Sequence, residues 1–237
     1  MSIFINGDDF GMSKSCSLAI AEAIEKGLID GTTMMANGEY FIEAATISAS
    51  RGFDRKIGVH LNLTEGVPLT EEIESVKAFV ADGRFNKEYL KNPRPLTERE
   101  QAAVCAELTA QINRIRQAGI NAVRADSHHY IHTFVHIAPL VAKVCKESGI
   151  KRIRINRTFD TPDRPMITEG RIENSFWRAQ GFETTAHFGR LSDITPGNIP
   201  ADTEIMVHPD YDKNGVLIDR TGTAHGCPAG ARIIRIK

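Results

Sequence analysis

The chain has 237 residues, of which 41% are hydrophobic and 25% are charged, and its formal net charge is -1. This balance excludes an intrinsically disordered protein, which needs fewer apolar residues and more net charge. It also argues against nucleic acid as a partner, because Lys and Arg are not in excess over Asp and Glu. The length fits one large α/β domain, and we predict a single domain over residues 1–237.

The N-terminal segment MSIFINGDDFGMS lacks the basic start and the apolar run of a signal peptide. Nowhere do about 18 apolar residues follow one another, as a membrane span requires. We therefore expect a cytoplasmic protein that does not associate with a membrane. The four cysteines lack CxxC spacing, which predicts neither a disulfide framework nor a thiolate zinc site.

In the first part of the chain, short apolar runs alternate with segments of helical periodicity, as is typical of parallel βα units. The pattern predicts strands over 2–6, 32–36 and 56–63, and helices over 13–27 and 39–50. Residues 64–95 then interrupt the pattern with three prolines and little periodicity. They predict an inserted loop after the third strand that covers a site or frames a substrate groove.

After this insertion the βα alternation returns. Thr97 and Glu100 form the capping-box pattern at the start of a strong helix that reaches Gly119. Further along we predict a helix over 135–148 and strands over 121–125, 151–155, 183–188, 203–207 and 231–236, with residues 160–181 irregular. Repeated βα units predict an irregular (β/α) barrel similar to a TIM barrel. An open doubly wound sheet would give nearly the same pattern and stays an alternative.

Acidic and imidazole side chains collect where predicted strands end. They are Asp8, Asp9, His60, Asp126, His128 and His208. In parallel α/β folds the carboxyl ends of the strands form the edge where ligands bind. This edge is therefore the predicted site.

The Asp8-Asp9 pair needs a change in chain direction, because adjacent residues of a strand point to opposite faces. Gly7 and Gly11 allow a turn there. Two close carboxylates repel one another unless a cation or a proton lies between them, which suits one metal ligand beside one general base. An Asp pair in a turn that caps the next helix is the alternative reading.

The segment DSHHYIHTFVH, residues 126–136, holds four of the eight histidines. If the strand extends to His128, then Asp126 and His128 share one face, so that one can bind a metal while the other orients a neighbour. Imidazole together with carboxylate suits zinc or a similar divalent ion. Arg152 and Arg154 on the following strand could bind phosphate, but alternating charges more often form a solvated face.

Five motifs, INGDDFGMS, TTMMANG, GVHLNLTEGVPL, DSHHYIH and EIMVHP, occur in this order between residues 3 and 209. Together they resemble the YdjC-like carbohydrate deacetylases. The resemblance implies an irregular (β/α) barrel that binds one divalent metal ion, zinc or magnesium, and removes acetyl groups from N-acetylated mono- or oligosaccharides. It implies Asp9, His60 and His128 as metal ligands, Asp8 as general base and His208 as general acid. Asp126 would then orient a ligand histidine.

Two departures from the family pattern affect what the resemblance implies. Asp210 stands where the family usually has glycine after HP, which predicts an added charge in the pocket. The chain stops at Lys237, where family members usually continue, which makes a homodimer a candidate assembly. Two alternatives remain: another metal hydrolase, such as an amidohydrolase or phosphoesterase, or a non-catalytic sugar- or metal-binding relative. Asp8 and His208 argue against the second alternative, because neither is needed to hold a metal.

Overall fold

The computed structural model describes residues 3–159, 170–194, 199–221 and 231–232. The helices are α1 (Lys14–Glu25), α2 (Phe41–Ser50), α3 (Glu71–Glu74), α4 (Glu88–Lys91), α5 (Glu98–Gln117), α6 (Ala138–Glu147) and α7 (Ser175–Ala179). The strands are β1 (Ile3–Phe10), β2 (Gly31–Met34), β3 (Ile57–Leu61), β4 (Val80–Ala81), β5 (Arg84–Phe85), β6 (Arg124–Ser127), β7 (Arg152–Ile153), β8 (His187–Arg190), β9 (Thr203–Val207), β10 (Pro209–Tyr211), β11 (Leu217–Asp219) and β12 (Ala231–Arg232).

Seven strands of the described residues form one sheet in the order β7-β6-β3-β2-β1-β9-β8, and every neighbouring pair is parallel. The sheet curls into a half-barrel. The predicted α/β fold with parallel strands is thus confirmed. A closed, TIM-like barrel is not confirmed, because among the described residues no strand ladder joins β7 to β8. A bridge between Arg152 and Glu183 and hydrogen bonds between Thr158 and Phe188 connect the two edges.

The helix starts follow the local sequence. The Ser13 side chain accepts a hydrogen bond from the backbone N–H of Cys16 and caps α1, at the first residue of the helix predicted over 13–27. Thr97 and Glu100 form both hydrogen bonds of the predicted capping box at α5. Each of these helices packs an apolar face on the sheet, including Ile20 on α1 and Leu108 on α5.

The insertion is more ordered than the sequence pattern predicts. Residues 64–95 contain α3, the β4-β5 hairpin and α4, and they bury Phe79 and Tyr89 in stacked contact. The buried Glu107 of α5 accepts hydrogen bonds from the backbone N–H groups of Leu69 and Thr70. The loop prediction fails here because the elements are too short to show periodicity, although the insertion does lie beside the site described below.

The C-terminal region also differs from the prediction. The sequence pattern predicts no strand between 207 and 231, yet β10 and β11 lie there and form an antiparallel sheet with β12. Of the predicted strand over 231–236, residues 231–232 are in β12 and the others lie outside the described residues. Residues 160–169 of the segment predicted to be irregular also lie outside them. Within the described ranges, no helix is long and apolar enough to cross a membrane.

Candidate metal and catalytic site

A cavity of about 180 Å³ opens at the carboxyl edge of the sheet. Its walls are Asp8, Asp9, His60, Ser127, His128, His129, Tyr130, Arg190, Met206, His208, Arg220 and Thr221. Five of the six predicted site residues therefore share one cavity. The sixth, Asp126, lies directly behind His60.

The Asp8-Asp9 step is a bulge within β1 and not the end of the strand. The register with β2 shifts between Gly7 and Phe10, and Asp9 has a φ of 72°. This left-handed conformation is strained for a residue other than glycine, and such strain concentrates at functional sites. The bulge separates the two carboxylates, so that Asp8 and Asp9 meet different partners.

Asp9, His60 and His128 form a buried cluster. Oδ1 of Asp9 lies 3.1 Å from Nε2 of His60 and 2.9 Å from Nδ1 of His128. The same two ring nitrogens are 3.4 Å apart. One carboxylate and two imidazoles that converge in this way can hold a divalent ion.

The outer nitrogen of each imidazole faces a carboxylate. Nδ1 of His60 is 2.7 Å from Oδ1 of Asp126, and Nε2 of His128 is 3.1 Å from Oε2 of Glu65. Such partners fix the tautomer and the ring orientation of metal-ligating histidines. The structure thus places Asp126 where the sequence predicted it, and it adds Glu65, which sequence reasoning missed.

The charges of this cluster depend on one another. Burial opposes ionisation of Asp9, but hydrogen bonds and charges from His128 and His60 hold its pKa well below the usual range. Burial lowers the pKa of His60, yet the charge and hydrogen bond of Asp126, with Asp9, outweigh it and raise the pKa to about 10. The hydrogen bond from His128 lowers the pKa of Glu65 to about 2. Without a metal, the two imidazoles and Arg220, whose Nη2 lies 2.9 Å from Oδ2 of Asp9, supply the positive charge that balances these carboxylates.

Arg154 is the centre of a second buried network. Its guanidinium donates two hydrogen bonds to Asp8, of 2.7 and 2.8 Å, and one of 2.7 Å to Glu204. Nη2 also lies 2.6 Å from Oδ2 of Asp126. The prediction that Arg154 belongs to a solvated face is wrong, since its side chain is 1% exposed, whereas the Arg152 side chain is 46% exposed.

Two further groups of metal-ligand types overlap this cluster. Asp8, His60 and Asp126 lie close enough to share an ion, but both carboxylates already bind Arg154. Glu65, His128 and His129 form the other group, in which Glu65 is half exposed and lies 3.8 Å from Nζ of Lys87. Asp9 also meets a guanidinium, but Arg220 contacts Oδ2 and leaves Oδ1 facing the two imidazoles. The buried group of Asp9, His60 and His128 is therefore the best candidate for a metal.

His208 also lines the cavity, and its side chain is 14% exposed. Burial lowers its pKa, and the charges of Asp9, Asp8 and Asp219 partly offset that effect. Asp210 is not among the residues lining the cavity; it accepts a hydrogen bond from Ser15. Asp210 is therefore not part of the cavity wall, but its Oδ2 lies 4.0 Å from Nη1 of Arg220, which lines the cavity.

The histidine-rich segment turns sharply after His128. β6 ends at Ser127, and His129 and Tyr130 have φ values of 53° and 55°. The ring of His132 then turns inward, between the Ser127 hydroxyl and the backbone carbonyl of Arg154. His132 is thus a structural residue that holds the turn beside the site.

We expect His132 to make the stability of the protein depend on pH. Burial lowers its pKa to about 3, well below the ordinary value of 6.5, so the folded state binds fewer protons than the unfolded state between these values. The contribution of His132 is complete above pH 6.5, and the free energy of unfolding falls by up to about 1.4 kcal/mol per unit as the pH drops towards 3. Denaturant titrations between pH 7 and pH 4.5 should show a shallower pH dependence for His132→Gln. Equal slopes for the two proteins would contradict this assignment.

The fold and the site define a parallel α/β protein with an Asp-His-His cluster at the carboxyl edge of its sheet. The family model described as YdjC-like protein matches residues 2–228, and the chain belongs to this family. A carbohydrate deacetylase of Listeria welshimeri is 34% identical over 220 residues, covering 89% of this chain and 82% of that protein. A carbohydrate deacetylase of Brevibacillus brevis is 31% identical over 235 residues, covering 95% and 86%.

A solved structure shows the same fold. It is a protein of Enterococcus faecalis whose description proposes it to be a cellobiose-phosphate cleavage protein, and it superimposes with a TM-score of 0.69. The two chains are 21% identical, and the match covers 90% of this chain and 82% of the other. At this identity the likeness supports the fold alone.

Proposed function

We propose that this protein is a metal-dependent hydrolase that removes acetyl groups from N-acetylated mono- or oligosaccharides. The observation that carries the proposal is the shared cavity, which brings a metal-type cluster, a separate carboxylate and a third histidine together. A protein that only holds a metal needs neither Asp8 nor His208. The names of the relatives from Listeria and Brevibacillus support the same activity.

The donor set suits zinc or a similar transition ion better than magnesium, because two of its three members are imidazoles. Its buried carboxylate balances charge, and the carboxylates behind both rings give the orientation that ligand histidines need. A divalent cation bound there would polarise the acetyl carbonyl and lower the pKa of a water molecule. Asp9, His60 and His128 would hold it.

The remaining groups supply acid and base. Asp8 is proposed to take a proton from the attacking water, and Arg154 holds its carboxylate by two hydrogen bonds. His208 is proposed to give a proton to the amine nitrogen as its bond to the acetyl carbon breaks. In each turnover Asp8 would thus take one proton and His208 would give one. General acid-base catalysis of this kind typically raises the reaction rate about 100- to 10,000-fold.

The size of the cavity bears on the substrate. About 180 Å³ is less than the roughly 300 Å³ or more that a pocket enclosing a drug-sized ligand has, so a small part of the substrate should enter it. Most of the large aromatic side chains, including Trp177 and Phe10, are buried in the core, whereas Tyr130 lines the cavity. We infer that the cavity takes the acetylated sugar unit at the reaction centre and that the other units of an oligosaccharide lie outside it.

The test is acetate release from N-acetylglucosamine and its oligomers by metal-stripped protein, with zinc, cobalt, magnesium or no metal added. Metal-dependent acetate release, fastest with zinc or cobalt, is the expected result. Release of phosphate from sugar phosphates without acetate release would favour the phosphoesterase alternative. Folded, metal-loaded protein that releases neither would contradict the proposal.

Replacing Glu65 by Gln is expected to weaken metal binding. The amide can still contact Nε2 of His128, but it no longer carries the charge that favours the ligand tautomer. Affinity for zinc should fall about 10- to 100-fold, as is typical when the partner of a ligand histidine is changed. Competition with a chromophoric chelator would measure it. Glu39→Gln is the matched control, because Glu39 is an exposed acidic residue outside the cavity; equal affinities for the two variants would exclude a role for Glu65.

A further inference from the structure

Three residues at the ends of β9 and β11 form a chain of hydrogen bonds that ends at the cavity. Nδ1 of His208 lies 2.9 Å from Oγ1 of Thr221, and Oγ1 of Thr221 lies 3.1 Å from Oδ1 of Asp219. Nδ1 of His208 and Oδ1 of Asp219 are 4.0 Å apart, too far for a direct hydrogen bond. The Thr221 hydroxyl is therefore the link between the imidazole and the carboxylate.

The direction of this chain follows from what each group can donate. Oδ1 of Asp219 already accepts the backbone N–H groups of His208 and Thr221, at 3.0 and 3.1 Å. An oxygen in that position acts as an acceptor, so the Thr221 hydroxyl donates its hydrogen bond to Asp219. The oxygen of Thr221 is then free to accept a hydrogen bond from His208, whose Nδ1 must therefore carry a proton.

The backbone holds the three residues in register. Asp219 pairs with Pro209 in the antiparallel β10-β11 ladder, next to His208 in the sequence. The backbone N–H of Arg220 donates to the carbonyl of His208 at 2.9 Å. Because both strand ends are fixed in this way, the side chains of Asp219 and Thr221 have one position relative to the imidazole.

The burial of Asp219 costs free energy, because one of its carboxylate oxygens is left without a hydrogen bond in the described part of the chain. Its side chain is 1% exposed, and within the described part of the chain Oδ2 has no hydrogen-bond partner. Buried polar atoms without partners are rare in folded proteins, and each one calls for an explanation. A negative charge held behind an imidazole is such an explanation, since it favours the imidazolium form.

We propose that Thr221 and Asp219 are positioning residues that keep the Nδ1 proton of His208 in place and leave Nε2 as the nitrogen that exchanges its proton with the substrate. The inference rests on the proposed role of His208 as general acid. When the carbon–nitrogen bond breaks, the proton on Nε2 passes to the amine, and the proton on Nδ1 stays hydrogen-bonded to Thr221. The imidazole is then neutral in a single tautomer, ready to be protonated again at Nε2.

The test compares Thr221→Val, which removes the hydroxyl at nearly constant volume, with Thr221→Ser, which keeps it. For an N-acetylated sugar, Thr221→Val should lower kcat about 10- to 100-fold with KM nearly unchanged, and Thr221→Ser should stay within about threefold of the unaltered protein. On p-nitrophenyl acetate, whose leaving group needs no proton, Thr221→Val should lose little. Asp219→Asn should follow Thr221→Val. The proposal would be overturned if Thr221→Val lost equal activity on the N-acetylated sugar and on p-nitrophenyl acetate. Equal kcat values of Thr221→Val and Thr221→Ser on the sugar would also overturn it.

A measurement without substrate separates this inference from the proposed function. The ¹⁵N chemical shifts of the His208 ring report which nitrogen carries the proton. We expect the Nδ1–H tautomer in the unaltered protein and a mixture of tautomers in Thr221→Val. An Nε2–H tautomer in the unaltered protein would overturn the relay. The Nδ1–H tautomer in a protein that deacetylates nothing would support the relay and contradict the proposed function.

Discussion

Replacing Arg154 by Met is expected to lower the free energy of unfolding by about 3–5 kcal/mol, the usual result of removing one partner of a buried ion pair. The guanidinium contacts the carboxylates of Asp8, Asp126 and Glu204, and all four side chains are buried. Methionine fills similar space but leaves these carboxylates without a counter-charge. For a chain of this length the midpoint of thermal unfolding should fall by about 6–20 °C.

Arg152→Met is the matched control for this prediction. Arg152 lies two residues earlier, its side chain is 46% exposed, and Nη2 is 3.5 Å from Glu183. Exposed pairs of this kind contribute about 0–1 kcal/mol, so the control should unfold close to the unaltered protein. Arg154→Lys should fall between the two, because it keeps the charge but cannot bind Asp8 through two nitrogens. Urea titrations give all three values, and similar losses at both positions would show that burial of Arg154 is not what matters.

The contrast between Arg152 and Arg154 also shows where sequence reasoning stops. Residues on alternate positions of a strand share one face, and charges at such positions usually face solvent. Here β7 ends at Ile153, so Arg154 lies just after the strand and does not share the exposure of Arg152. Its guanidinium meets carboxylates from β1, β6 and β9. These carboxylates are 28 to 146 residues away from Arg154 along the chain and come close to it only after folding. No local sequence pattern therefore identifies them.

The metal-type cluster was more accessible to prediction. Asp9, His60 and His128 each lie within one residue of the last residue of β1, β3 and β6. Parallel strands bring their carboxyl ends to one edge of the sheet whatever the details of packing. Asp126 could be assigned as well, because it precedes His128 by two residues and therefore shares its face if the strand continues. Its pairing with His60 in the β3-β6 register is seen only in the structure. The bulge at Asp9 could not be predicted, because a strand-like run of residues does not show which one of them adopts a positive φ.

Glu65 shows a signal that the sequence does carry. Oδ1 of Asn62 accepts hydrogen bonds from the backbone N–H groups of Thr64 and Glu65, at 3.0 and 3.2 Å. Asn side chains favour this local turn, so the HLNLTE segment predicts that the chain bends directly after β3. The sequence does not show which residue Glu65 contacts after the bend. Its partner His128 follows β6 and lies 63 residues further along the chain.

Asparagine at each position of the Asp8-Asp9 pair should separate the two proposed roles. Asp8→Asn keeps one side-chain oxygen for Arg154 and removes the proton acceptor, so metal should stay bound while kcat falls about 100- to 10,000-fold. Asp9→Asn removes the charge that lies within 3.1 Å of both imidazoles. Metal affinity should then fall by more than the roughly 10- to 100-fold that loss of a carboxylate behind a ligand costs.

The pair of variants forms its own control, because both change one carboxylate to an amide at neighbouring buried positions. Metal content by elemental analysis and kcat for acetate release, measured on the same preparations, give the two readouts. If Asp8→Asn lost metal and Asp9→Asn kept it, the roles would be reversed. That outcome would require the metal to leave His128, because Oδ1 of Asp9 and not Asp8 faces Nδ1 of that ring. Retained metal in Asp8→Asn together with normal turnover would remove Asp8 from the chemistry and leave Arg154 as a purely structural residue.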